Sequence, residues 1–79
     1  MILYVKSGCP WCRFAEEYLN KRGYKYERMD VCADPAAFAE LKRISGHAYA
    51  PTLVIGNLVL PDFGPDELED FLKRHNILP

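Results

Sequence analysis

The chain has 79 residues, 49% of them apolar, and a formal net charge of -1. A chain of this size makes one domain, 1–79, with a thin core, and it has neither the basic stripe of a nucleic-acid binder nor a like-charge tail. No apolar run approaches the roughly 20 residues of a membrane span, and Ile2-Leu3-Tyr4-Val5 after Met1 is too short for a secretory segment, so the expected protein is a cytoplasmic monomer without a membrane partner.

Residues 2–5 are continuously apolar and β-prone, the pattern of a central strand buried on both faces. Ser7-Gly8 ends it, and Pro10 suits the first turn of a helix. Phe14, Ala15, Tyr18 and Leu19 share one helical face, and Gly23 suits the position just past a helix end. The first helix is therefore predicted over Pro10–Arg22. Tyr24–Val31 is β-prone but carries Lys25, Glu27 and Arg28, which makes it a wetter outer strand. Asp34-Pro35 is an N-cap followed by a first-turn proline. Phe38, Leu41 and Ile44 give the second helix its apolar stripe, and Gly46 stops it.

Thr52–Ile55 and Leu58–Leu60 flank Gly56-Asn57, a strong hairpin signal. Pro61–Pro65 reads as a turn. Leu68, Phe71 and Leu72 mark a third helix whose basic end, Lys73-Arg74-His75, complements its dipole. Tyr4, Phe14, Tyr18, Met29, Phe38 and Phe71 are expected in the core. Glu17–Lys21, Glu69–Lys73 and Asp70–Arg74 have i,i+4 spacing for surface ion pairs. The order is β-α-β-α-β-β-α, in which the first β-α-β unit is a right-handed parallel crossover and the hairpin adds antiparallel strands to the same sheet.

The chemistry concentrates in Cys9-Pro10-Trp11-Cys12. Three cysteines in a reducing compartment do not make a disulfide framework, and a CxxC pair points to metal binding or redox catalysis. A tetrahedral zinc site needs four ligands. Cys32, His47 and His75 are the other candidates, and none forms a second close pair, so redox chemistry is the better reading. Cys9 follows a strand and opens a helix, where unpaired N–H groups and the macrodipole favour a thiolate. Cys12 lies one turn further in. The expected roles are attacker for Cys9 and resolving thiol for Cys12.

A second signal is Ala50-Pro51-Thr52 before the hairpin. A cis proline there would set the Ala50 backbone beside the cysteines, ready to pair with an extended thiol substrate. An ordinary trans proline at a strand entry fits the residues equally well. Cys32, at the end of the second strand, faces the same sheet edge as Cys9, and the favoured reading is a buried small hydrophobe. Taken alone, Lys6 reads as a solvated surface lysine. Taken alone, Trp11 reads as a half-buried surface aromatic.

Val5-Lys6-Ser7-Gly8-Cys9-Pro10-Trp11-Cys12, the Ala50-Pro51 step and the Gly56-Asn57 hairpin together resemble a glutaredoxin over nearly the whole chain. The resemblance implies an α/β thioredoxin fold with a four-stranded mixed sheet flanked by three helices. It implies a cis bond at Pro51, Cys9 as the glutathionylated nucleophile, and Lys6 paired with a glutathione carboxylate. Pro10, Trp11, Ala50, Asp62 and Phe63 would complete the substrate site. Glutathione would be a cosubstrate with no tightly bound cofactor, and the partners would be disulfide-containing or glutathionylated proteins.

The resemblance breaks at Leu60-Pro61-Asp62-Phe63-Gly64-Pro65-Asp66. Glutaredoxins usually carry Gly-Gly and then acidic residues there, to hold the γ-glutamyl end, and the start of the third helix of this chain is expected to offer free N–H groups to a carboxylate. This stretch is closer to the glutaredoxin-like redoxins that donate electrons to ribonucleotide reductase and are reduced by thioredoxin reductase. An iron–sulfur carrier, with Cys9 of two subunits and glutathione as ligands, is a third class. Cys12 argues against it, because a Cys9–Cys12 disulfide competes with cluster ligation.

Overall fold

The computed structural model describes all 79 residues. The elements are β1 (Ile2–Val5), α1 (Pro10–Lys21), β2 (Glu27–Asp30), α2 (Pro35–Ser45), β3 (Thr52–Ile55), β4 (Leu58–Pro61) and α3 (Pro65–Arg74). They form one mixed sheet of strand order β2-β1-β3-β4. β1 pairs parallel with β2, with Val5 opposite Asp30, and antiparallel with β3, with Tyr4 opposite Thr52. Gly56 takes a left-handed φ of 58° in the two-residue turn that joins β3 to β4. Without a Cβ it does so at no steric cost.

The helix ends follow the local chemistry. Asp34 caps α2 by accepting the Ala36 N–H at 3.0 Å. Pro35 occupies its first turn, and Gly46 closes it in the left-handed conformation. α1 ends at Lys21 with Arg22 as its cap, one residue short of the predicted boundary. Each face of the sheet carries its own apolar cluster. Leu3, Val5, Ala15, Leu19, Leu53 and Leu68 lie in the cluster under α1 and α3. Tyr4, Val31, Ala37, Leu41 and Val54 make the other, under α2. β1 contributes to both because successive side chains of a strand alternate between faces. As expected of a central strand, its Leu3, Tyr4 and Val5 are all buried.

Several expectations need correction. β2 covers only Glu27–Asp30, not Tyr24–Val31. Tyr24 and Tyr26 still pack against the first cluster from the segment before the strand, and the Tyr24 hydroxyl donates to the Ile77 carbonyl at 2.6 Å. β4 runs one residue further than predicted, through Pro61, which an edge strand tolerates because it needs no N–H facing outward. Phe14 is not a core residue. The buried face of α1 is Cys12, Ala15 and Leu19, and Phe14 points outward, 51% exposed, beside Trp11 with ring centroids 6.0 Å apart. Tyr18, Met29 and Phe38 are half-buried, while Tyr4 and Phe71 are buried. Glu69–Lys73 and Asp70–Arg74 form their pairs at 2.9 and 2.6 Å, and Glu17–Lys21 does not.

These placements make a contrast that denaturant unfolding can read. Leu19→Ala should cost about 2–5 kcal/mol, because it empties a fully buried site. Phe14→Ala should stay within about 0.5 kcal/mol of the parent, as surface changes do. A large loss from Phe14→Ala would return that ring to the core.

Candidate active site

The site is built at the β1–α1 junction. β1 ends at Val5, and Gly8 turns the chain with a left-handed φ of 75°. Cys9 is the N-cap of α1, and its Sγ accepts the Cys12 N–H at 3.2 Å. Pro10 follows at the first helical position, where its missing N–H leaves no partner wanting. Cys9 is partly exposed and Cys12 is 3% exposed, and both are free thiols. Burial pushes the Cys12 thiol up to about 12, with the hydrogen bond to Cys9 and the charges of Cys9 and Glu16 adding to it and the Lys6 backbone opposing. An accessible sulfur on a helix N-terminus and a protonated sulfur beneath it are suited to attack and to resolution, respectively.

The Ala50–Pro51 bond is cis, and Pro51 is fully buried. This brings Ala50 over the cysteines, with the Cys9 thiol 3.9 Å from the Ala50 carbonyl it donates to. The Ala50 N–H makes no hydrogen bond within the chain. The Thr52 hydroxyl donates to the Tyr49 carbonyl at 2.8 Å and ties the two ends of this loop together. A backbone with a free N–H beside a nucleophile can accept an extended peptide as an added strand.

Lys6, Cys9, Pro10 and Cys12 line one cleft of about 410 Å³. Trp11 is 56% exposed and leans on the turn before α3; a Cβ on Gly64 would lie 3.4 Å from its ring. Asp62 is exposed in that turn at a φ of 47°, a left-handed conformation that aspartate tolerates better than most residues. Phe63 is 3% exposed and packs in the cluster under α1 and α3. The structure thus brings Lys6, Pro10, Ala50 and Pro51 to the two cysteines. Trp11 and Asp62 stand at the rim, and Phe63 lies beneath it. The start of α3 is less open than expected. Pro65 has no N–H, and Glu67 accepts the Gly64 N–H at 3.3 Å.

Cys32 corrects another expectation. It is exposed, not buried, because β2 ends at Asp30 and Cys32 falls in the turn that follows. Two features were missed in the sequence. Asp30 accepts the Cys32 N–H at 2.9 Å and the Ser7 hydroxyl at 3.1 Å, bracing the turn that leads into Cys9. The hydrogen bonds from the Cys32 backbone and Ser7 hold its carboxyl below the usual range. Its signal was a side chain two residues before the N–H it bonds, a common turn device of aspartate. The other is Glu16, one helical turn after Cys12 and in the same cleft.

A cap-position cysteine, a second cysteine one turn deeper and a cis proline beside them define a redoxin of the thioredoxin fold. The family model described as Glutaredoxin matches residues 1–60, and the chain belongs to the glutaredoxin family. It is 34% identical over 55 residues to a glutaredoxin of Neisseria meningitidis, covering 68% of this chain and 65% of that one. It is 30% identical over 64 residues to the glutaredoxin-like protein NrdH of Escherichia coli, covering 81% and 78%. Among solved structures, the thioredoxin-like protein BC3987 superposes with a TM-score of 0.81 at 31% identity, over 90% of this chain and 97% of that one.

The geometry sets the order of thiol reactivity. At neutral pH, iodoacetamide should modify Cys9 at least about 100-fold faster than Cys12, since a thiol held protonated is a poor nucleophile. In Cys9→Ser, modification of Cys12 should still be rising with pH at about pH 10. Peptide mass mapping checks both, and preferential labelling of Cys12 would reverse the assignment. Cys32→Ser should retain at least about half of the disulfide reductase activity, because Cys32 stands outside the cleft-lining residues. A drop to a tenth with an intact fold would make it part of the machinery.

Proposed function

We propose that the protein reduces disulfides and glutathione mixed disulfides of other proteins through Cys9 and Cys12. The observation that carries this reading is the Cys9 sulfur capping α1 with a buried, protonated Cys12 under it. The Cys9 thiolate attacks one sulfur of the substrate disulfide, forms a mixed disulfide and expels the other sulfur as a thiolate. Cys12 then loses its proton and attacks the Cys9 sulfur. The Cys9–Cys12 disulfide forms, the second substrate thiolate leaves, and two electrons have passed to the substrate. Capping Cys9 as a mixed disulfide removes its thiolate charge and changes its hydrogen bond to Cys12, two of the influences that hold Cys12 protonated. The first step therefore prepares the second.

Glutathione is the proposed reductant of the oxidised pair. Lys6 supplies a cation on the cleft, and Ala50 supplies a free backbone N–H for the tripeptide. The γ-glutamyl end is the weak part of this site. Leu60 and Pro61 replace the close backbone approach that Gly-Gly permits, and Asp62, Asp66 and Glu67 surround the start of α3 with negative charge. Losing one or two charge-assisted hydrogen bonds, at about 1.5–3 kcal/mol each, weakens binding by an order of magnitude or more. This same altered turn, together with the likeness to NrdH, supports a second reading: a redoxin reduced by thioredoxin reductase that serves ribonucleotide reductase.

NADPH consumption distinguishes the two. Glutathione with glutathione reductase should support turnover, and Pro61→Gly should lower the apparent KM for glutathione severalfold. Cys9→Ser should abolish activity. Rapid turnover with thioredoxin reductase and none with glutathione would establish the second reading instead. A KM that rises in Pro61→Gly would place the γ-glutamyl pocket elsewhere.

A further inference from the structure

The resolving step leaves a chemical need unmet. Cys12 must give up a proton while 3% exposed, so bulk water reaches it poorly. Lys6 and Arg13 line the cleft beside it but are cations, and no histidine lines that cleft. Asp30 is already engaged by the Ser7 hydroxyl and the Cys32 N–H. Glu17, on α1, is exposed and outside the cleft. Glu16 remains. It lies at i+4 from Cys12 on α1, a spacing that sets two Cβ atoms about 5–6 Å apart on one helix face. Its side chain is only 24% exposed and lines the same cleft as both cysteines.

The way Glu16 is held is informative. Its Oε1 accepts the Tyr26 hydroxyl at 3.2 Å and the Arg28 Nε–H at 2.9 Å, both from the β2 side. Its Oε2 takes no hydrogen bond from the protein. One oxygen is anchored and the other is free to accept a proton. The cleft, at about 410 Å³, has room for a bridging water, and one water is within the reach of general-base transfer.

We propose that Glu16 is the general base of the resolving step, taking the Cys12 proton through a cleft water as Cys12 attacks the Cys9 mixed disulfide. The inference rests on the dithiol reading above. The S–H bond of Cys12 breaks and the proton goes to the Glu16 carboxylate. The electron pair stays on Cys12 and forms the bond to Cys9 Sγ, and the substrate thiolate leaves. The transfer moves the negative charge from Glu16 to Cys12, so the two never repel each other as a pair of anions. The raised affinity of Cys12 for its proton is the reason a base is needed, and the Glu16 charge is one of its causes. When the pair is reduced again, the same carboxylic acid returns the proton to the departing Cys12 sulfur. The other charged or titratable groups around Glu16 are Tyr26 and Arg28 on the β2 side, Arg13 on α1, and Lys6 before α1.

The test uses the full chain in a Cys32→Ser background, mixed by stopped flow with excess of a symmetrical nitrobenzoate disulfide that releases a coloured thiolate. Two coloured thiolates are expected, the first at a rate proportional to reagent and the second at a rate independent of it. Glu16→Gln should slow the second phase about tenfold or more near neutral pH and change the first less than about threefold. Glu16→Asp should recover most of the loss. An unchanged or faster second phase in Glu16→Gln overturns the proposal, since Glu16 would then only hold the proton on Cys12. A loss shared equally by Glu16→Asp, or extending to the first phase, assigns Glu16 a structural role and also overturns it. A single coloured thiolate from the parent would instead overturn the dithiol reading, and this proposal with it.

Discussion

The hydrogen bond from the Cys12 N–H to the Cys9 sulfur is the interaction on which the rest of the site depends. Most helices are capped by the oxygen of Ser, Thr, Asp or Asn. Here a sulfur does that work, so the atom that satisfies the helix end is also the one proposed to react. Its position is fixed from both sides. β1 is the inner strand between β2 and β3 and is buried on both faces, so the chain enters the turn from the packed interior of the sheet. α1 leaves the turn with Cys12, Ala15 and Leu19 locked into the core. The Ser7–Asp30 bond braces the turn itself from β2. The Cys9 sulfur is partly exposed, while the strand and helix that position it are anchored in the core.

The two sides of the site differ in charge. Toward β2 the cleft carries Lys6, Arg13 and Arg28, of which Arg28 is paired with Glu16 and the other two form no ion pair. Toward α3 the turn and first helical residues carry Asp62, Asp66 and Glu67. Trp11 lies against the second side, over Gly64. The two sides of the site therefore present opposite fields. The exposed Trp11–Phe14 pair adds an apolar surface directly on the helix that carries the cysteines.

The division of labour between Cys9 and Cys12 is a matter of depth. Cys9 caps α1 and Cys12 follows one turn in, and one is partly exposed while the other is covered by the α1–α3 side of the core. Burial is what keeps Cys12 protonated. A thiol that is wanted as a thiolate only in a second step benefits from ionising late, and burial is the largest of the influences that delay it.

Local signals carried much of this protein in the sequence. The Cys9–Cys12 pair, the Pro10 start, the Asp34 cap and the Gly56-Asn57 turn each rest on a rule that acts within four residues, and each stands in the structure as read. The apolar run of β1 marked it as central for the same reason: a strand covered on both faces has no polar side to show. Where a reading depended on what lies across the fold, it went astray. Phe14 fits the apolar stripe of α1 by periodicity, but the rotation of the helix on the sheet turns it out to solvent. Cys32 looks buried by residue type, and β2 stops two residues too soon to bury it. Phe63 sits beside Asp62 in the chain, yet packing under α1 and α3 separates their environments. Glu16 with Tyr26 and Arg28, and Asp30 with Ser7, join residues that only the parallel pairing of β1 with β2 brings together. The sequence alone determined the spacing of the two cysteines and where the first two helices begin, because caps and turns are set by neighbouring atoms. Tertiary structure alone decided which side chains surround those sulfurs, because burial and long-range hydrogen bonds exist only once the sheet and helices have packed.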